Sequence, residues 1–145
     1  MSDRAPALAS LIDDLTADLP FSALGVEERL GVDLQRHESS NLFFTVFEGT
    51  CDGQQGLTAV EVREPTLVSL ERGKNGLLLL RLNDGLDCDA LSAELGGLDP
   101  APLDPFAGVP ANERILQSDQ PWGRITATVN TDTNDVRVLM LDTSP

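Results

Sequence analysis

The sequence predicts an α+β fold: an antiparallel β-sheet meander with N-terminal helices packed on one face and a C-terminal β-hairpin, in a single domain spanning residues 1–145. Three observations predict it. Apolar residues recur at helical spacing near the N-terminus, the spacing changes to short extended runs from Val32 onward, and the last twenty or so residues alternate as a hairpin. With 145 residues, 41% of them hydrophobic, the chain can bury one core and is too short to make two domains the default.

Leu8, Leu11, Ile12, Leu15 and Leu19 share one helix face, with Asp13, Asp14 and Asp18 on the other, which predicts an amphipathic helix over 6–18 closed by Pro20. Ser22 is placed to cap a second helix, Ala23 to Leu30, which Gly31 ends in a left-handed conformation. Gly25 weakens that helix by about 1 kcal/mol relative to alanine. Val32 with Leu34, Leu42 to Phe47, Leu57 to Arg63, Thr66 to Leu70, and Leu77 to Leu82 then read as strands. Asp52-Gly53 with Gly56 marks one connection, and Gly73-Lys74-Asn75-Gly76 a hairpin turn. Connections this short cannot carry parallel crossovers, so five to seven antiparallel strands are expected. Phe43 and Phe47 fall opposite Leu42, Phe44 and Val46, so either both faces of the sheet are buried or one carries exposed aromatics; burial under the N-terminal helix is the expectation.

Asp87 or Asp89 is placed to cap a helix over Cys88 to Leu95 at the edge of the sheet, stopped by Gly96-Gly97. Residues 97–121 hold five of the nine prolines and read as a semi-rigid surface segment, with Trp122 following as a lid on the core. Ile125, Ala127 and Val129 alternate with polar residues, and Val136 to Leu141 resumes after the polar turn Asn130 to Asp135. That hairpin strand puts Val136, Val138 and Met140 on one face, and Leu139 with Leu141 on the other, which predicts a strand covered on both sides near its end.

Charge bounds the function classes. The chain carries 24 Asp and Glu against 10 Lys and Arg, a formal net charge of -14, which repels nucleic acid and anionic membrane and attracts basic partners. The basic residues are scattered, without the clustering that a nucleic-acid surface needs. A broken apolar pattern at the N-terminus and no apolar run of roughly 18 residues predict a soluble, cytoplasmic protein. In that compartment Cys51 and Cys88 read as free thiols. A single histidine and no CxxC pair argue against structural zinc.

Nucleophilic catalysis needs a nucleophile, a base and an orienting group in register. His37, the only histidine, has Ser39 and Ser40 beside it but no GxSxG elbow, and reads as a loop or strand-edge residue. Asn130 to Asp135 superficially matches the start of a calcium loop, but Asp135 stands where glycine is required and Leu141 where glutamate is, so it reads as a turn. No glycine motif for phosphate is present. No catalytic, cofactor or metal residue is therefore assigned, and neither enzyme activity nor a cofactor is expected; an enzyme stays as a third class only because a pocket can be assembled from residues that no linear motif reveals. Acidic charge, by contrast, is segregated: between Arg81 and Arg114 there is no basic residue, while Asp84, Asp87, Asp89, Glu94, Asp99, Asp104 and Glu113 all fall there. This interval reads either as a solvated face or as a docking surface for a basic protein, with Asp84, Asp87, Asp89 and Glu94 as its charges and Trp122 as an apolar anchor.

The order of elements, with "ALGVEERLGVDL" at 23–34 and "PWGRITATVN" at 121–130, resembles small acidic cytosolic immunity proteins of bacterial toxin systems, including those delivered by type VI secretion. The resemblance covers most of the chain in element order, through short motifs. It implies a non-enzymatic, cofactor-free protein that binds a cognate toxin domain and occludes its active site, and it carries over no particular residue. A second resemblance is to the small acidic chaperones of type III secretion, which implies a homodimer presenting apolar surface to an effector segment. The proline-rich segment fits that compact pattern poorly, so the immunity reading ranks first.

Overall fold

The computed structural model describes residues 4–51, 56–102 and 108–143. Its helices are α1 (Arg4–Thr16), α2 (Ala23–Leu30), α3 (Leu67–Glu71) and α4 (Cys88–Leu95). Its strands are β1 (Gln35–Arg36), β2 (Phe44–Thr50), β3 (Leu57–Pro65), β4 (Leu77–Leu82), β5 (Asp99–Pro100), β6 (Glu113–Gln120), β7 (Gly123–Asn130) and β8 (Val136–Asp142). They form one antiparallel sheet in the order β1-β2-β3-β4-β8-β7-β6-β5. Two meanders, β1 to β4 and β5 to β8, meet where β4 pairs with β8, and α4 lies on the connection between them.

Local chemistry sets the helix ends. Gly25 N–H donates to Ser22 Oγ at 3.0 Å, and Gly31 closes α2 at φ 66°. Gly25 is less a weakness than a fit, because a Cβ there would come within 2.9 Å of the capping hydroxyl. Asp87 caps α4 by accepting from Ala90 N–H at 3.0 Å, and Gly96 ends it at φ 84°.

Register builds the core across strands. Phe47, Val62, Leu78, Leu141, Ile125 and Ser118 form one row, and Gly49, Val60, Leu80, Leu139, Ala127 and Leu116 the next. Leu8, Leu11, Ile12 and Leu15 of α1, Val26 of α2 and Leu91 of α4 join this core. Leu78, Leu80, Leu91, Leu139 and Leu141 are each 0% exposed, and each such side chain contributes about 1.5–3 kcal/mol of transfer free energy. Helices α1, α2 and α4 contribute buried residues to this core, which leaves the opposite face as the less covered one among the described residues. That face carries a row that crosses all eight strands: Gln35, Glu48, Glu61, Leu79, Met140, Thr126, Gln117 and Asp99.

Several expectations change. Thr66 to Leu70 is not a strand: Pro65 ends β3, and α3 follows, pinned by Thr66 Oγ1 and Ser69 Oγ donating to the carbonyls of Leu42 and Phe43, each at 2.7 Å. The Gly73 to Gly76 segment consequently joins a helix to β4 instead of closing a hairpin. Extended structure after α2 is confined to Gln35–Arg36, with Val32 and Leu34 packed on the core. The segment 97–121 contains β5 and the eight-residue β6, because its prolines flank β6 or sit on the short edge strand, where a missing N–H costs little. Helix α4 packs against α1 instead of standing at the sheet edge, with Cys88 and Leu91 in the core. In β8 the register shifts so that Arg137 is an extra, bulged residue. The bulge reverses the side-chain parity, so Val136, Leu139 and Leu141 share the covered face.

Candidate functional site

The sheet has two ends, and they differ in chemistry. One end holds the starts of β2, β4 and β7 and the finishes of β3, β6 and β8, since Val46, Arg63, Leu77, Asp142, Arg124 and Asp119 pair in a row close to it. All five exposed large apolar side chains among the described residues gather there. Leu42 (66% exposed) and Phe43 (38%) precede β2, and Leu67 (77%) and Leu70 (37%) lie on α3. Leu24 (66%) begins α2. Ala23 N–H ties that helix start to Glu64, and Phe21 N–H ties it to the Asn75 carbonyl, both at 2.9 Å. Exposed large apolar side chains gathered at one end of a sheet make that end a candidate contact surface.

Beside this cluster, on the less covered face of the sheet, lies a cavity of about 380 Å³ walled by Phe43, Phe44 and Leu77. Arg63, Arg72 and Lys74 line it together with the Asp142 carboxylate. The Arg72 guanidinium stands 5.3 Å from the centroid of the Phe43 ring, a cation–π distance that fixes a long side chain in place. Arg63 pairs with Glu61 at 3.1 Å, outside the cavity lining. A second depression, about 470 Å³, lies over β2 and β3, with Asp33, Glu48 and Glu61 beside Arg81.

The acidic docking candidates fall mostly at the other end. Asp84 follows β4 and pairs with Arg137 at 2.7 Å, while its carbonyl accepts from the Arg4 guanidinium at 2.8 Å. Asp87 caps α4 and also accepts from Asn134 Nδ2 at 3.2 Å. Asp89 and Glu94 are exposed on α4. Asp84, Asp87 and Asp89 are thus brought together around the start of α4, beside the β7–β8 turn that Asp135 joins to Asp87. Trp122 is not with them. It sits half-buried against the core in the β6–β7 turn, and the eight residues of β7 separate that turn from Asp135 by more than about 20 Å.

His37 and Ser39 come closer than sequence adjacency alone implies. Ser39 Oγ is 2.7 Å from His37 Nδ1, and Glu48 Oε1 is 3.6 Å from Nε2. The Nδ1 lone pair already accepts from the Ser39 backbone N–H at 3.0 Å, and the His37 side chain is 39% exposed. A base whose lone pair is taken by a backbone amide is not poised to deprotonate the hydroxyl. The group instead anchors a loop along β2, where His37 N–H donates to the Val46 carbonyl at 2.7 Å and Val46 N–H to Ser40 Oγ at 2.9 Å. Asn130 holds its own turn, accepting from Asp132 N–H at 2.8 Å.

Phe43, Leu67 and Leu70 read as strand residues in sequence; Phe43 takes the exposed alternative instead of the favoured burial under the N-terminal helix, and nothing in the sequence singles out Leu67 and Leu70 as exposed. The local signal was Pro65-Thr66, which ends a strand and can open a helical turn. No family model, curated protein or solved structure matches the chain. No described helix is long and apolar enough to cross a membrane.

Proposed function

We propose that this is a cytoplasmic immunity protein, a stoichiometric inhibitor that holds a cationic toxin domain and covers its active site. The observation that carries protein binding is the gathering of Leu24, Leu42, Phe43, Leu67 and Leu70 at one end of the sheet. Apolar and aromatic anchors of this kind supply most of the affinity of an interface. The net charge of -14 supports the choice of partner: it speeds encounter with a basic domain and turns away nucleic acid. The β2 edge is occupied by its own loop, so the partner meets side chains here instead of adding a strand. In this reading the carboxylates Asp84, Asp87, Asp89 and Glu94 contribute to the steering field, while the contact itself lies at the apolar end with Trp122 behind it.

The less covered sheet face favours one alternative. Leu77, Leu79, Val138 and Met140 lie on it half-buried, apolar surface of the kind a type III secretion chaperone would need for an extended effector segment.

The two readings separate on co-expression with toxin-like reading frames adjacent to the gene, followed by light scattering of the purified complex. The immunity reading expects restored growth and a one-to-one complex. The double substitution Leu67→Asp with Leu70→Asp should leave the fold intact and weaken that complex by about a hundredfold, the size expected when hot-spot side chains are lost. Asp89→Lys with Glu94→Lys should slow association and leave dissociation unchanged. Undiminished toxicity overturns the proposal, and a homodimer that retains an extended effector peptide establishes the chaperone in its place.

A further inference from the structure

The corner cavity between Phe43 and the start of β4 has a charge opposite to that of the molecule around it. Three of the ten basic residues in a chain of net charge -14, Arg63, Arg72 and Lys74, line one space that also holds a single carboxylate, Asp142. Lys74 is the only lysine in the sequence. Among the described residues neither Arg72 nor Lys74 makes an ion pair. The Arg72 guanidinium lies over the Phe43 ring, and a cation–π contact uses none of its N–H groups as conventional donors, so they stay available to a ligand.

We propose that this cavity binds a small organic monoanion, an apolar body that carries one carboxylate. Phe43, Phe44 and Leu77 supply apolar walls for the body, and Arg72 with Lys74 supplies the donors for the carboxylate. The volume of about 380 Å³ lies at the small end of ligand sites, which suits a benzenoid or branched acid and is tight for a nucleotide. Asp142 in the wall repels a dianion more than a monoanion, which favours a carboxylate over a phosphate monoester. The same chemistry is offered by a free carboxylic acid and by the C-terminal residue of a polypeptide. The proposal does not depend on the immunity reading, and its test needs no toxin.

Reductive methylation with labelled formaldehyde places a single side-chain reporter on the full-length protein at Lys74 and keeps the positive charge. The probes are 3-phenylpropionate, a blocked tripeptide ending in phenylalanine with a free carboxylate, and the same tripeptide as its C-terminal amide. At least one acid should shift the Lys74 signal along a saturable curve, while the amide leaves it in place. Arg72→Gln, with its circular dichroism unchanged, should weaken the acid roughly fivefold, the upper range for one exposed charge pair. Response to 3-phenylpropionate alone identifies a free acid as the ligand, and a stronger response to the tripeptide identifies a chain terminus. Equal shifts from acid and amide, no shift from either acid at about 10 mM, or unchanged affinity in Arg72→Gln overturns the proposal.

Discussion

Cys88 lies in the core at 2% exposure, and burial pushes its thiol up from the ordinary value, with Arg114 opposing and Asp89 and Asp87 adding to the rise. The folded state therefore keeps its proton at a pH where the unfolded chain releases it. Stability from this group is fully present below the ordinary thiol value of 9.0 and declines as pH rises through and beyond it. Urea midpoints taken at pH 8 and pH 10 should fall with pH, and Cys88→Ala should flatten the part of that decline due to the thiol. Disulfide exchange reagents at pH 8 should reach Cys88 only as fast as the domain opens. Residue by residue, the core was largely legible, since Leu8, Leu11, Ile12 and Leu15 of α1 are all buried as their spacing requires. Arg137 shows why the rest was not. A bulge is a property of two paired strands, and the single extra residue that exchanged the faces of Val138 and Leu139 leaves no mark in the pattern of one strand.

Elements whose ends are chemical were readable, and elements whose ends are set by neighbours were not. Ser22 with Gly31 and Asp87 with Gly96 delimit α2 and α4 because cap bonds are made within a few residues of the chain. Asp87 carries such a bond and Asp89, two residues on, does not. Asp87→Ala should therefore cost about 1 kcal/mol, within the usual range for a lost cap, while Asp89→Ala stays within roughly 0.5 kcal/mol. Denaturant unfolding of the two variants measures the difference, and equal costs would show that the cap is not what holds α4. Charge reversal at Asp87 is for the same reason a poor probe of docking, and Asp89 with Glu94 is the cleaner pair. Helix α3 and strand β6 were misread for a common cause. The hydroxyls of Thr66 and Ser69 are satisfied by carbonyls at Leu42 and Phe43, far back along the chain, and β6 is held between β5 and its own hairpin partner β7 despite its flanking prolines, so in both places pairing overrides the local signal.

Across the whole molecule, 24 acidic residues face 10 basic ones, and mutual repulsion works against the compact state. The ion pairs of the described residues are surface contacts such as Arg29 with Asp18 at 2.9 Å and Arg124 with Asp119 at 2.7 Å, each worth no more than about 1 kcal/mol. Screening should therefore help more than it harms. Melting temperature at constant pH should rise as sodium chloride is taken from about 10 mM to about 500 mM, a range over which the Debye length falls several-fold, and a falling temperature would show that the pairs outweigh the repulsion. By itself the sequence determined the α+β class, the capped helices, the closing hairpin and the acidic field, because composition, periodicity and caps act over a few residues or over the chain as a sum. Only the tertiary structure decided the joining of β4 to β8, the corner where Leu42, Phe43, Leu67 and Leu70 stay exposed, and the meeting of Arg63, Arg72 and Lys74 on one cavity. Those features arise from pairing between segments tens of residues apart, where register, not local preference, sets which side chains face water.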